Sequence, residues 1–301
     1  MLGAIVAALG DGAILALVAT GLVLVFKGSK VLNLAQGEIG AFALLIVYVA
    51  LGKQSAPGIA LLIGATVVGG LLGMGTERLI MRPLVERPPI QATIASLGLT
   101  VVLVNAAALN GGDGPLGFLP QGQNSYPITM PPTTGTGSVD LFGATLVSGR
   151  LVALLATAAA GALLYAFFTR TRFGLAVLAA TSDNAVARIL GVPVRNVYRF
   201  TWGIGGALSG FAAALVASLG PFQPATMTFT LIGALAGAVI GGLDSIPGAI
   251  VGGLLVGLVQ GLVKYQFPSI GGIENVAVLA LVLITLMLRP RGLLGGAGAA
   301  A

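Results

Sequence analysis

Few residues of this 301-residue chain could do chemistry, and they fall in three places. Asn33, Gln36 and Glu38 interrupt the apolar run VLNLAQGEIGAFA at 31–43, with Gly37 and Gly40 beside them. Asp244 and Ser245 interrupt a second run, GGLDSIPGAIVGG at 241–253, next to Pro247. Asp183, Ala187, Arg188 and Gly191 punctuate the basic stretch 169–199. Cys and His are absent, which removes disulfides, zinc sites, Cys or His nucleophiles and His proton relays. No nucleophile–base–acid constellation and no metal-ligand spacing appears in the remaining residues. Gly52-Lys53-Gln54 is not a G-x-x-x-x-G-K-[ST] phosphate loop, so the chain lacks that device for holding ATP. No catalytic residue, metal or cofactor is expected. What is left is hydrogen bonding and charge, suited to passing a solute or docking a partner.

The elements that must position these groups are membrane helices. The chain is 56% hydrophobic and only 8% charged, whereas a soluble domain carries about 25% charged residues. A span needs about 20 apolar residues to cross a core of about 30 Å. Apolar runs fall at about 4–26, 31–51, 59–81, 90–110, 150–168, 200–220, 229–243, 246–266 and 274–289. The seventh is short, and 229–266 could be two spans or one re-entrant element. The first basic residue is Lys27, so 4–26 reads as a retained span and not as a cleaved signal peptide. Forty-seven glycines, many four residues apart (Gly69 and Gly73; Gly206 and Gly210; Gly233, Gly237 and Gly241; Gly253, Gly257 and Gly261), predict close helix contacts. The expected fold is an all-α polytopic membrane protein, one domain over 1–301, a compact Gly-rich bundle of about eight to nine segments, some interrupted or re-entrant.

Charge orients the bundle. With 169–199 inside, Lys27, Lys30, Arg78, Arg82, Arg87, Arg170, Arg172, Arg188, Arg195, Arg199, Arg289 and Arg291 all lie inside, leaving Lys53, Arg150 and Lys264 outside. That bias predicts a cytoplasmic C-terminus and an extracytoplasmic N-terminus. The positive charge is therefore an orientation signal and not a nucleic-acid footprint. The Gly-, Pro- and Thr-rich stretch 111–149 becomes an extracytoplasmic loop, with a hairpin around Tyr126–Met130 and Leu141–Val147. Inside the cytoplasmic loop 169–199, residues 183–191 read as a short helix, capped by Asp183 and stopped by Gly191 and Pro193. Such a helix would dock a cytoplasmic partner; an ordinary topology-fixing loop is the plainer alternative.

A carboxylate at membrane depth costs about 2.5–3.5 kcal/mol or more, so Glu38 should face the bundle interior or a wet path. Paired interrupted segments in the two halves of a chain point to a transport pathway. Asn33, Gln36, Glu38, Asp244 and Ser245 are the pathway candidates. Helix-to-helix hydrogen bonding by the first three, and capping of the helix near Pro247 by Asp244 or Ser245, are the competing structural explanations.

These motifs, taken together, resemble the permease subunits of bacterial ABC importers for branched-chain amino acids, the smaller of the two paired permeases. The resemblance rests on Gly21-Leu22-Val23-Leu24 through Asn33-Leu34-Ala35-Gln36-Gly37-Glu38, on Thr171-Arg172-Phe173-Gly174, on Ala187-Arg188-Ile189-Leu190-Gly191-Val192, on Gly241 through Ala249, and on Arg289-Pro290-Arg291-Gly292-Leu293. It implies translocation of branched-chain or other hydrophobic amino acids across the inner membrane. It also implies a second permease, two ATP-binding subunits and an extracytoplasmic solute-binding protein as partners, besides membrane lipid. ATPases of such importers dock on a short coupling helix, E-A-A-x-x-x-G; Ala187 and Gly191 match its third and seventh positions, while Ala185 replaces the Glu and Val186 the first Ala. Urea or short-amide permeases are close relatives of that family. An ion-coupled secondary transporter using Glu38 and Asp244, or a purely structural scaffold, would be the readings outside it.

Overall fold

Apolar runs in lipid fold as helices because each backbone N–H and C=O must then find its partner within its own segment. The structure, a computed structural model, describes residues 2–51, 57–85, 87–109, 138–141, 144–182, 187, 189, 191, 193–223 and 226–295. In chain order the helices are α1 (Leu2–Ser29), α2 (Gln36–Ala50), α3 (Gly58–Thr76), α4 (Pro89–Leu109), α5 (Ser148–Arg170), α6 (Arg172–Ser182), α7 (Val194–Leu219), α8 (Thr226–Gly241), α9 (Ile246–Gln266) and α10 (Ile273–Leu288). A π turn at Glu77–Met81 and a 3-10 turn at Arg82–Leu84 extend α3. Each expected apolar run has its helix, and 229–266 forms two helices, α8 and α9. Among the described residues six helices are long and apolar enough to cross a membrane; α2, α8 and α10 are shorter. The 15 residues of α2 cover about 22 Å at 1.5 Å each, less than a full hydrocarbon core.

Two findings differ from the sequence reading. The stretch 169–199 is not one loop: α6 occupies its first part, and α7 starts at Val194, six residues before the expected run. The Thr171 hydroxyl accepts from the Gly174 N–H at 2.9 Å and donates to the Phe167 carbonyl at 2.7 Å, so it both ends α5 and starts α6. Val177 and Ala180 of α6 then pack with Leu164, Phe168, Val194 and Val197. The second finding is a hairpin of β1 (Ser138–Leu141) and β2 (Ala144–Val147), antiparallel with Ser138 opposite Val147. It overlaps the Leu141–Val147 strand expected there; Tyr126–Met130 lies outside the described residues.

The core is built on small residues. α1 is the most enclosed of the long helices and lies along α9, α7, α8 and α5. α9 carries two glycine faces. Gly253, Gly257 and Gly261 face Ala16, Gly12 and Ala8 of α1, while Gly248 and Gly252 face Gly241 and Gly237 of α8. A Cβ on Gly237 would stand 2.8 Å from the Gly253 Cα, so these backbones touch with no room for a side chain. Gly69 and Gly73 of α3 meet Gly206 of α7 in the same way. Dispersion between closely apposed backbones is what holds helices together where lipid removes the hydrophobic driving force.

The bundle has two distinct ends. At one, Lys30 pairs with Asp244 at 3.4 Å. The N–H groups of Leu293 and Leu294 bond there to the carbonyls of Ile240 and Gly241, and Arg82, Pro193, Arg195 and Asn196 line a groove of about 940 Å³. At the other end Arg150 holds Asp11 through Nε at 3.0 Å and Nη2 at 3.3 Å.

Candidate functional site

The first interrupted segment is a genuine helix break inside the bundle. α1 ends at Ser29, and Lys30 takes a left-handed φ of 56°. The chain then turns back and runs non-helically through 31–35 before α2 begins at Gln36. The Gln36 amide lies against Gly21, where a Cβ would be 2.6 Å from Nε2. Gly21 is eight residues before Ser29, about 12 Å up the helix, so α2 starts well within the bundle.

Freed backbone groups at such a break need partners, and the surrounding side chains supply them. Asn33 Oδ1 accepts from the Ala35 N–H at 3.1 Å, while its Nδ2 donates to Gln36 Oε1 at 2.8 Å. Gln36 Nε2 donates to the Gly205 carbonyl of α7 at 2.5 Å, and the Ser209 hydroxyl donates to the Gln36 carbonyl. On the α4 side the Ser96 hydroxyl accepts from the Leu34 N–H at 3.0 Å, and the Thr100 hydroxyl donates to the Leu34 carbonyl at 2.9 Å. The Thr228 hydroxyl of α8 donates to Glu38 Oε1. Asn33, Gln36, Glu38, Ser96 and Ser209 are all buried. Glu38 also sits in the first turn of α2, where the helix dipole favours a carboxylate.

Close approach is a condition of this arrangement. Gly40 lies against the Ser209 backbone and Gly37 against the Met227 carbonyl, at 2.5 Å from a would-be Cβ. Thus α2 is clamped between α7 and α8.

The second interrupted segment is different. Gly242, at φ 107°, turns the chain out of α8. Ser245 caps α9, its hydroxyl accepting from the Gly248 N–H at 3.0 Å, with Pro247 in the first turn. Asp244 is exposed and meets Lys30. The structure brings Asn33, Gln36 and Glu38 into one network and Asp244 beside Ser245, but it does not bring the two groups together. Thr228, which holds Glu38, and Gly241 stand thirteen residues apart on α8, about 20 Å.

In the segment expected to couple to a partner, Asp183 and Arg188 lie outside the described residues. Ala187 and Ile189 are helical, Ala187 is buried against α6 and α7, and Ile189 is exposed. Gly191 has a φ of 78°, a conformation favourable to glycine, and Pro193 leads into α7.

Several participants were not legible locally. Ser96, Thr100, Ser209 and Thr228 look like isolated hydroxyls in apolar runs; only the alternation Thr226, Thr228, Thr230 hints at anything. Glu77 is another. It is buried in the π turn after α3, near Arg82, Arg199 and Arg78. Its Oε2 and the Trp202 Nε1 of α7 have no hydrogen-bond partner, and both residues line a cavity of about 60 Å³. Such a polar cavity has room for water.

The site is thus a broken, hydrogen-bond-stapled helix inside a glycine-packed bundle. The family model described as branched-chain amino acid transport system, permease component, matches residues 4–288. The chain belongs to this family. Among its relatives is the high-affinity branched-chain amino acid transport system permease protein LivH of Salmonella typhimurium, 28% identical over 213 residues, 68% of this chain and 67% of the relative. BraD of Pseudomonas aeruginosa, a permease of the same description, is 27% identical over the same shares. The probable branched-chain amino acid transport permease LivH of Methanocaldococcus jannaschii is 28% identical over 295 residues, covering 94% of this chain and 89% of the relative. In this family member the stapled break at 31–38 is a buried polar network tied to α4, α7 and α8.

Proposed function

We propose that this permease is the membrane-spanning half-path of an ATP-driven importer for branched-chain or other hydrophobic amino acids. The observation that carries the reading is the family match over 4–288. Its partners are a second permease, two ATP-binding subunits on the cytoplasmic side and an extracytoplasmic solute-binding protein. The energy comes from the ATPases, since this chain has no phosphate loop of its own.

Orientation follows from charge. Lys27, Lys30, Arg78, Arg82, Arg87, Arg195, Arg199, Arg289 and Arg291 belong to the end where Lys30 meets Asp244, and Arg150 marks the other. Positive residues favour the cytoplasm, so the first end, with the C-terminus, faces inward and α1 begins outside. The segment 183–191, with Asp183, Ala187, Arg188 and Gly191, is then the cytoplasmic contact through which ATPase closure rocks the bundle. Within it, Ala187 packs against α6 and α7 and so ties the contact to the bundle. Along the solute path, Glu38 is the interior polar group, Asn33 and Gln36 hold the break that places it, and Asp244 and Ser245 stand at the cytoplasmic mouth.

The test is reconstitution. The assembled transporter should take up leucine only with ATP and binding protein. Gly191→Asp and Arg188→Glu should release the ATP-binding subunits during purification and abolish uptake. Full assembly and uptake in both variants would remove the coupling role, and uptake by the lone chain under an ion gradient would remove the ATP-driven reading.

A further inference from the structure

A groove of about 610 Å³ runs between α1, α8, α9 and α10. Most of its wall is apolar, but Thr230, Gln260 and Asn275 face it. It continues into a second cavity of about 320 Å³ that shares Leu15, Thr230 and Gln260 and reaches Asp11, Gly220 and Pro221. The groove therefore starts at the Asp11–Arg150 end and descends into the bundle.

Three observations bear on what fills it. First, the three polar side chains are neutral, and among the described residues the Gln260 amide has no hydrogen-bond partner. An unpaired amide turned to lipid is costly, so this wall is built for water or a polar solute. Second, Gln260 lies over Gly233, its Nε2 being 3.9 Å from where a Cβ would sit, and that missing side chain keeps the groove open. Third, deeper along α8 the space closes where Gly237 and Gly241 touch Gly252 and Gly248. The result is a vestibule open at one end and shut by bare backbone at the other. Thr230 is also only two residues from Thr228; its hydroxyl donates to the Thr226 carbonyl at 2.9 Å and lines the groove as an acceptor.

We propose that Thr230, Gln260 and Asn275 form a solute-contacting vestibule on this chain. It receives the charged head of a small zwitterionic amino acid through neutral hydrogen bonds, with the apolar side chain against Leu15 and Val278. Neutral groups suit passage: a fixed charge of either sign would hold one end of a zwitterion and repel the other, whereas an amide can donate to a carboxylate and accept from an ammonium. This assignment rests on the permease reading above.

The chain has no native cysteine, so single thiols report cleanly. The test uses the whole assembled transporter in nanodiscs, where both faces are open to reagent. Q260C should react with a charged methanethiosulfonate at least about tenfold faster than V276C, because the reactive thiolate forms where water reaches the thiol and is suppressed in apolar surroundings. Val276 is exposed beside Asn275 but does not line the groove. In proteoliposomes with ATP and loaded binding protein, labelled Q260C should lose uptake, and Q260L should lower uptake about tenfold. The ATP-binding subunits should stay bound in both. Equal labelling of Q260C and V276C, or uptake by Q260L within about twofold of the parent, would overturn the vestibule and make the groove a lipid or permease contact. Failure of the unmodified transporter to move any amino acid would instead strike the functional reading itself.

Discussion

The breaks at 31–38 and 241–248 share a sequence signature: glycines, one acid and a polar neighbour within an apolar run. Their environments are opposite. The first lies inside the bundle, and its groups are tied to α4, α7 and α8 through Ser96, Gly205, Ser209 and Thr228. The second is a turn at the end of the bundle, with Ser245 capping its own helix, the Leu293 and Leu294 N–H groups meeting the Ile240 and Gly241 carbonyls, and Asp244 paired with the exposed Lys30. The difference teaches that an acid in an apolar run marks a break but not its depth. Depth depends on whether distant helices bring hydroxyls and carbonyls to meet it.

Substitutions should separate the two breaks by size of effect. Gln36→Leu should hurt most, because it strips the partner from Asn33 Nδ2 and from the Gly205 carbonyl inside the bundle. A loss of about 1–3 kcal/mol is expected, read as a lower midpoint when the purified transporter is heated and its remaining soluble fraction measured. Thr228→Val removes one interhelical hydrogen bond to Glu38, for which about 0.6–1.7 kcal/mol is reasonable in a bilayer; uptake should fall with it if Glu38 serves the path. Ser245→Ala removes a cap worth about 1 kcal/mol and should shift the midpoint while leaving uptake near the parent's. Lys30→Met breaks an exposed ion pair and should cost less than about 1 kcal/mol, with the small effect shrinking further in high salt. If Lys30→Met were as damaging as Gln36→Leu, the contrast between a buried and a surface break would be wrong.

Much of the helix layout could be read from the chain because a bilayer leaves so few choices. Each apolar run became a helix, and most glycines at spacing four line close helix contacts, against glycine at Gly237 and Gly241 and against alanine at Gly253 and Gly261. The less legible parts each have a cause. α6 was hidden because Thr171-Arg172-Phe173-Gly174 reads as a polar loop, whereas Gly174 is there to pass under the Phe167 carbonyl. Ser209 and Thr228 were invisible as partners because a lone hydroxyl in a helix usually bonds back to its own backbone, as Thr66 and Thr76 do here. Glu77 lies near the end of the apolar run 59–81 and gave no signal of its own; the structure buries it in the π turn.

The sequence alone determined the class of protein, the order of its apolar segments and the places where they break. Those follow from local physics: backbone groups in lipid must pair nearby, and glycine, proline and charge interrupt that pairing wherever they fall. Only the tertiary structure decided which break is interior, which hydroxyls answer it and where a groove stays open. These depend on contacts such as Gln36 with Gly205 or Gly233 beneath Gln260, between residues far apart in the chain, and no local rule records which distant helix face will arrive.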